Sequence, residues 1–336
     1  MNLPHVPRLY AAGYLLAALA LVATLKLHLL PALLAGMLVY TLVNTLAPPL
    51  QRHMGGTRAH GLIVILLSAV VIGLLTLLIV AAVEFLRNEL GDPRFLSDSI
   101  TPVIERARAQ LPQIVVDHLP DSIDEMRAGA AEWLRLHTGE LQIAGKAAVR
   151  TFVHLLIGMV LGAMVALAGA RPVARGKPLV EVLIGRCRHL VAAFHDIVFA
   201  QVKISAINTA FTALFLLLVL PLFGTTLPFT KTLIAATFVT GLLPVVGNLI
   251  SNTLIFVIGL SISLPIGIAA LVFLVVIHKL EYFLNARIVG TQIRARAWEL
   301  LIAMLAMEAA FGAPGLIAAP IYYAYLKREL VEAELI

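Results

Sequence analysis

GLIVILLSAVVIGLLTLLIVAAV, residues 61–83, carries no charged side chain in 23 consecutive positions. A helix needs about 20 apolar residues, at 1.5 Å rise each, to cross the hydrocarbon core of a bilayer. The stretch therefore reads as a transmembrane helix. The composition agrees with it: 60% of the 336 residues are apolar and only 13% charged, against roughly 45–50% and 25% in an ordinary soluble domain. The mean hydropathy is +0.97. The 25 basic and 19 acidic residues are too few to cover a water-facing surface of this size, so much of the surface faces lipid. The expected fold class is an all-α polytopic membrane protein with about seven to eight hydrophobic segments.

Upstream, residues 9–25 (LYAAGYLLAALALVATL) are followed, after Lys26, by a second apolar run at 27–47 with Pro31 near its start. A cleaved signal peptide would be followed by a mature polar domain, so the pair reads as an uncleaved helical hairpin. Residues 1–83 thus form three N-terminal spans. Downstream the composition switches. From Glu84 to Arg150 there are 11 acidic and 8 basic residues, a net of −3, which leaves +9 for the remainder. Pro120-Asp121-Ser122 with Glu125 resembles a capping box, and Ile123, Met126, Ala130, Trp133 and Leu134 follow helical spacing. This segment is expected to be a helical insert outside the membrane.

Residues 151–336 return to membrane character as a C-terminal transmembrane region. Within 152–168, Gly158 and Gly162 form a G-x-x-x-G step, the signature of close helix packing. A basic loop is expected next, with Arg171, Arg175, Lys177, Arg186, Arg188 and Lys203. The span at 204–222 opens with Ser205, Asn208, Thr209 and Thr212, which share one helical side and should face protein or water. Basic residues gather between spans two and three (Arg52, Arg58), in 171–203, and at Arg287, Arg294 and Arg296. Lys and Arg concentrate on the cytoplasmic side, which places the N-terminus inside and residues 84–150 outside. The same rule accounts for the net charge of +6 without nucleic acid. Cys187 is the one cysteine and forms no internal disulfide.

Two apolar stretches are broken. Residues 232–263 are cut by Pro244 and Gly247-Asn248, and residues 298–326 by Gly312-Ala313-Pro314-Gly315, with Pro320 beyond. Each half is short for a ~30 Å core, so each stretch is either a kinked crossing or a re-entrant hairpin. For the second, Arg294 and Arg296 before it and Lys327 and Arg328 after it favour a hairpin with both ends on one side. Interrupted hydrophobic segments of this kind mark transporter binding sites. Around the first break lie Thr237, Thr240, Asn248, Ser251, Asn252 and Thr253, groups able to coordinate a small cation or hydrogen-bond a polar ligand. Glu308 stands one turn before Gly312, and an ionised carboxylate inside the membrane costs ~2.5–3.5 kcal/mol on insertion scales. His278, Glu281 and Asn285 form a stripe at helical spacing. The plain alternatives are packing for the breaks, snorkelling for His278 and Lys279, an interfacial anchor for Glu299, and packing or solvation for His154.

The motifs P-x-x-G (Pro244–Gly247), E-x-x-x-N-x-R-I-x-G (Glu281–Gly290) and F-G-x-x-G-x-x-x-A-P (Phe311–Pro320) resemble those of the autoinducer-2 exporter family of bacterial membrane proteins. The layout is similar over nearly the whole chain. Val245, Asn248 and Ala286 depart from the family pattern. The resemblance implies a multi-pass secondary transporter of the bacterial inner membrane that works as a homo-oligomer, a pentamer being the form the family suggests. Its partners would be the bilayer and a small-molecule or ion substrate. Na+ or H+ would be the coupling ion, with no other cofactor. Candidate substrate- or ion-binding residues are Thr240, Pro244, Gly247, Asn248, Asn252, Glu281, Asn285, Glu308, Gly312 and Gly315. The chain lacks a P-loop, H-E-x-x-H and G-x-S-x-G, which argues against ATP-driven transport and against metalloprotease or serine hydrolase chemistry. Three functions remain open: a gradient-coupled exporter of a small polar molecule, a cation/proton antiporter, and a non-transporting membrane scaffold.

Overall fold

The computed structural model describes residues 6–51, 56–84, 128–129, 132–133, 135–169, 177–242, 246–293 and 295–335. All regular structure among them is helical: α1 (Val6–Lys26), α2 (Leu30–Gln51), α3 (Gly56–Glu84), α4 (Thr138–Gly169), α5 (Pro178–Leu214), α6 (Thr230–Gly241), α7 (Val246–Ile262), α8 (Leu264–Ile293), α9 (Ala297–Phe311) and α10 (Ala313–Glu332). Four described stretches are long and apolar enough to cross a membrane: 9–26, 30–51, 138–169 and 178–222. Residues 61–83 lie in the single 29-residue helix α3. The capping box at 120–125 falls outside the described residues.

The chain divides into two compact units. The first comprises residues 1–73, 144–199 and 289–336, and the second 74–143 and 200–288.

In the first unit, α1 and α2 are joined by Leu27–Leu29, with His28 at φ 58°. That left-handed residue is the sharp reversal expected between Lys26 and Pro31. The freed His28 carbonyl accepts a hydrogen bond from His154 Nδ1 of α4 at 3.1 Å, so His154 caps the hairpin and its Nδ1 carries the proton. The G-x-x-x-G step packs α4 on α2. A Cβ on Gly158 would overlap the Ala32 carbonyl oxygen, and one on Gly162 that of Gly36. Only hydrogen atoms fit between the two backbones there, which is the packing role its spacing predicts. A core of Met37, Ala193, Phe194, Ile197, Ile321, Ala324 and Tyr325 then ties α2, α5 and α10 together.

That core corrects one expectation. Residues 178–203 are not a loop but the first two-thirds of the 37-residue helix α5. Their apolar residues Leu190, Ala193, Phe194 and Ile197 recur at helical spacing and are packed. The six basic residues counted across 171–203 concealed this amphipathic period. Arg171 and Arg175 fall outside the described residues.

In the second unit, α5 runs on through a π-helical turn, Phe215–Val219, into a last turn at Leu220–Leu222. Pro221 has no N–H to offer the preceding turn, and a π-bulge is a common adjustment next to such a defect. Phe215 of this turn stacks on Phe273 of α8, with ring centroids 4.0 Å apart and planes 4° apart. Leu216, Leu233, Ile255 and Ala270 complete the core that holds α5, α6, α7 and α8.

Candidate functional site

Both broken stretches turn back on themselves. In the first, a Cβ on Gly247 would overlap the Thr240 carbonyl oxygen. Seven residues of continuous helix would separate these positions by about 10 Å, so α6 and α7 form an antiparallel hairpin. Leu233 and Ile255, equally far from the break, meet in one core. Residues 243–245, and with them Pro244, lie outside the described residues.

A helix that ends inside protein leaves its last carbonyls without intrahelical donors. Here α5 supplies donors. Ser205 Oγ donates to the Phe238 carbonyl at 2.7 Å, and Gln201 Nε2 donates to the Gly241 carbonyl at 2.7 Å. Gly241 has no room for a side chain, because a Cβ would stand 2.6 Å from Ser205 Oγ. Ser205, Asn208 and Thr212 are buried, as are Thr237 and Ser251 on the hairpin. The polar face read at 205–212 therefore faces protein. Thr237 and Thr240 return their hydroxyls to the carbonyls of Leu233 and Ala236, whereas the buried Thr209 Oγ1 has no hydrogen-bond partner. Asn252 is half-buried on α7, and Asn248 lies in the first turn of that helix.

The result is a seam of hydroxyls and amides at the C-terminal end of α6. That end carries the negative pole of the helix dipole. Such a seam suits a small cation or the donors of a polar organic molecule, as at the discontinuous helices of transporters. Gln201 was absent from the sequence reading, although 201, 205, 208 and 212 form one helical stripe. It lies upstream of the uncharged run that defined the span and was passed over with the basic residues.

The second break is a hinge at one residue. Gly312 adopts φ 67° and ψ −150°, a region essentially confined to glycine. Pro314 then sits in the first turn of α10, where its missing N–H costs nothing. A Cβ on Gly315 would overlap the Met307 carbonyl oxygen, so α9 and α10 pack backbone to backbone. At the open end Glu299 accepts hydrogen bonds from Tyr323 Oη and from Lys327 Nζ, the latter at 2.6 Å. Glu299 thus clamps the base of the hairpin instead of standing as a lone interfacial anchor. Glu308 is exposed on α9.

The candidate residues are therefore apportioned. Thr240, Gly247, Asn248, Asn252, Glu281 and Asn285 belong to the second unit, and Glu308, Gly312 and Gly315 to the first. Positions 278, 281 and 285 share the continuous helix α8, with His278 exposed and the side chains of 281 and 285 outside the described ones. Among the described residues no group of three His, Cys, Asp or Glu side chains is placed to hold a metal ion.

A family model described as AI-2E family transporter matches residues 13–333, nearly the whole chain and both hairpins. The chain belongs to the AI-2E transporter family. Neither a curated protein nor a solved structure matches it. Membership makes it a membrane transporter rather than an enzyme, in keeping with the apolar helices.

This AI-2E transporter also carries charged groups that the sequence reading did not single out as a site. Arg186 of α5 pairs with Glu329 of α10, which is only 3% exposed. His189, one turn along α5, meets Glu329 at 3.1 Å and Glu332 at 2.7 Å. Further along the same two helices, Asp196 pairs with Arg328. Arg186 lies over the Tyr14 ring of α1 at 4.0 Å, a cation–π contact.

Proposed function

We propose that this AI-2E transporter exports a small polar molecule across the bacterial inner membrane, driven by an ion or proton gradient and not by ATP. The observation that carries this reading is the capped end of α6. Its carbonyls accept hydrogen bonds from Gln201 and Ser205, the start of a stripe that continues through the buried Asn208 and Thr212 and the buried Thr209 Oγ1, and Gly247 packs on Thr240. A purely structural break would be filled with apolar side chains. A buried hydroxyl costs free energy unless it is hydrogen-bonded, and a ligand that completes the bonding of Thr209 Oγ1 recovers that cost. Glu281 and Glu308 are the proposed coupling carboxylates, with Asn285 on the stripe of Glu281. The two hairpins enter the bilayer without crossing it. The N-terminus is cytoplasmic, residues 84–150 are extracytoplasmic, and the chain works as a homo-oligomer.

The test is flux in proteoliposomes reconstituted with the full chain. Substrate efflux that follows an imposed gradient, and that falls at least tenfold in Ser205→Ala and Gln201→Ala while both variants remain folded, is the expected result. Wild-type flux in both variants removes the seam from the transport site. Flux unchanged in both Glu281→Gln and Glu308→Gln removes the coupling assignment.

A second reading, a cation/proton antiporter, is favoured by one feature: the buried Thr209 hydroxyl on α5 that has no hydrogen-bond partner. Collapse of a pH gradient on addition of Na+ alone, with no organic substrate present, would select it.

A further inference from the structure

The geometry around His189 points to a proton-binding site that latches the last turn of α10 to α5. His189 Nδ1 lies 3.1 Å from Glu329 Oε1, and Nε2 lies 2.7 Å from Glu332 Oε2. A neutral imidazole has one N–H and one bare nitrogen, so it donates to one carboxylate only. The bare nitrogen would face the lone pairs of the other. With Glu329 held ionised by Arg186 and Glu332 about two-thirds exposed, both contacts are hydrogen bonds only when the ring is an imidazolium. One proton is thus a structural component of the cluster.

The surroundings fit this role. From α5, the groups that face the site are Arg186 and, along the same cleft, Glu181. From α10 they are Glu329 and Glu332, and from α1 Tyr10, with Tyr14 against Arg186. Tyr325 of α10 packs beneath them. His189, Glu332, Arg186 and Tyr10 line an open cleft of about 390 Å³. Within the latch itself two cations, Arg186 and His189, face two anions, Glu329 and Glu332, with Glu181 a third carboxylate along the cleft. On deprotonation the remaining N–H, on Nδ1, stays with buried Glu329, and Glu332 loses its Nε2–H donor and turns to water. The other ties of α10, Arg328 to Asp196 and Lys327 to Glu299, use cations that keep their charge through neutral pH. Among the described ties of this helix, only that of His189 runs through an imidazole, the side-chain type that exchanges a proton within the physiological range.

The latch does not depend on the transport reading, and the test keeps the two apart. Amide hydrogen exchange on the full chain in nanodiscs, normalised to the intrinsic rate at each pH, follows the peptide covering 328–335. Protection should fall about fivefold between pH 6 and pH 8, the scale of one exposed charge-assisted contact. His189→Gln should abolish that dependence. Glu332→Gln should do so as well, because a glutamine amide can accept from the imidazolium and donate to the bare nitrogen, which holds the latch at both pH values. Its side chain is exposed, so the fold is not at stake. No pH dependence in the wild type, or wild-type dependence in either variant, overturns the proposal. Substrate flux measured in parallel is a separate readout: its absence would count against transport while the exchange data still decide the latch.

Discussion

The two hairpins start from one sequence design, an apolar stretch cut by proline and glycine, and become different devices. In α6/α7 the tip is held by neutral hydrogen bonds from α5 to the last carbonyls of α6, and the glycines serve close approach. In α9/α10 the turn depends on the backbone conformation of Gly312, and the charged clamp lies at the base, where Glu299 meets Tyr323 and Lys327. A tip secured by directional bonds to a neighbouring helix has a defined polar environment to offer a ligand. A hairpin fastened at its base can transmit force through its legs, because the ties of α10 to α5 sit at that same end.

The comparison can be broken at several points, each read by thermal unfolding of the purified protein in detergent. Gly247→Val should have the largest effect, ~3 kcal/mol or more, because the side chain must displace the Thr240 backbone. Wild-type stability would mean that α6 and α7 do not pack as described. Gly312→Ala should cost ~1–3 kcal/mol through strain alone, since no atom lies within 4 Å of the added Cβ. A neutral result there would show that the second hairpin does not hinge on this residue. Ser205→Ala should cost ~1 kcal/mol by leaving the Phe238 carbonyl without its donor, with a much larger effect on flux than on stability. Gly185→Ala, at an open helical position of α5, should be neutral or stabilising by up to ~1 kcal/mol. A destabilised Gly185→Ala would show that 178–203 is not helical.

Much of this was legible from residue order. The hairpin at Lys26–Pro31, the packing glycines 158 and 162, and the one-sided polar face at 205–212 all follow from local spacing. The break at Gly312 was legible in the run Gly312-Ala313-Pro314-Gly315, which no continuous helix accommodates without a defect. Other features were hidden for a physical reason. Residues 178–203 read as a basic loop because charge density masked an apolar period, and Gln201 was overlooked beside it. Glu329 resembled any charge of a polar C-terminus. Its burial depends on Arg186, 143 positions earlier, and on Tyr14 beyond that.

The sequence by itself determined that this chain enters a membrane, where its helices break, and which residue types stand at the breaks. These follow from hydropathy and backbone chemistry, which act over a few residues. Only the tertiary structure decided that α5 supplies the donors for the end of α6, that Glu299 clamps one hairpin, and that His189 stands between two carboxylates. Each of those depends on a partner supplied by another helix, and a hydrogen bond or ion pair exists only where folding brings donor and acceptor within about 3 Å.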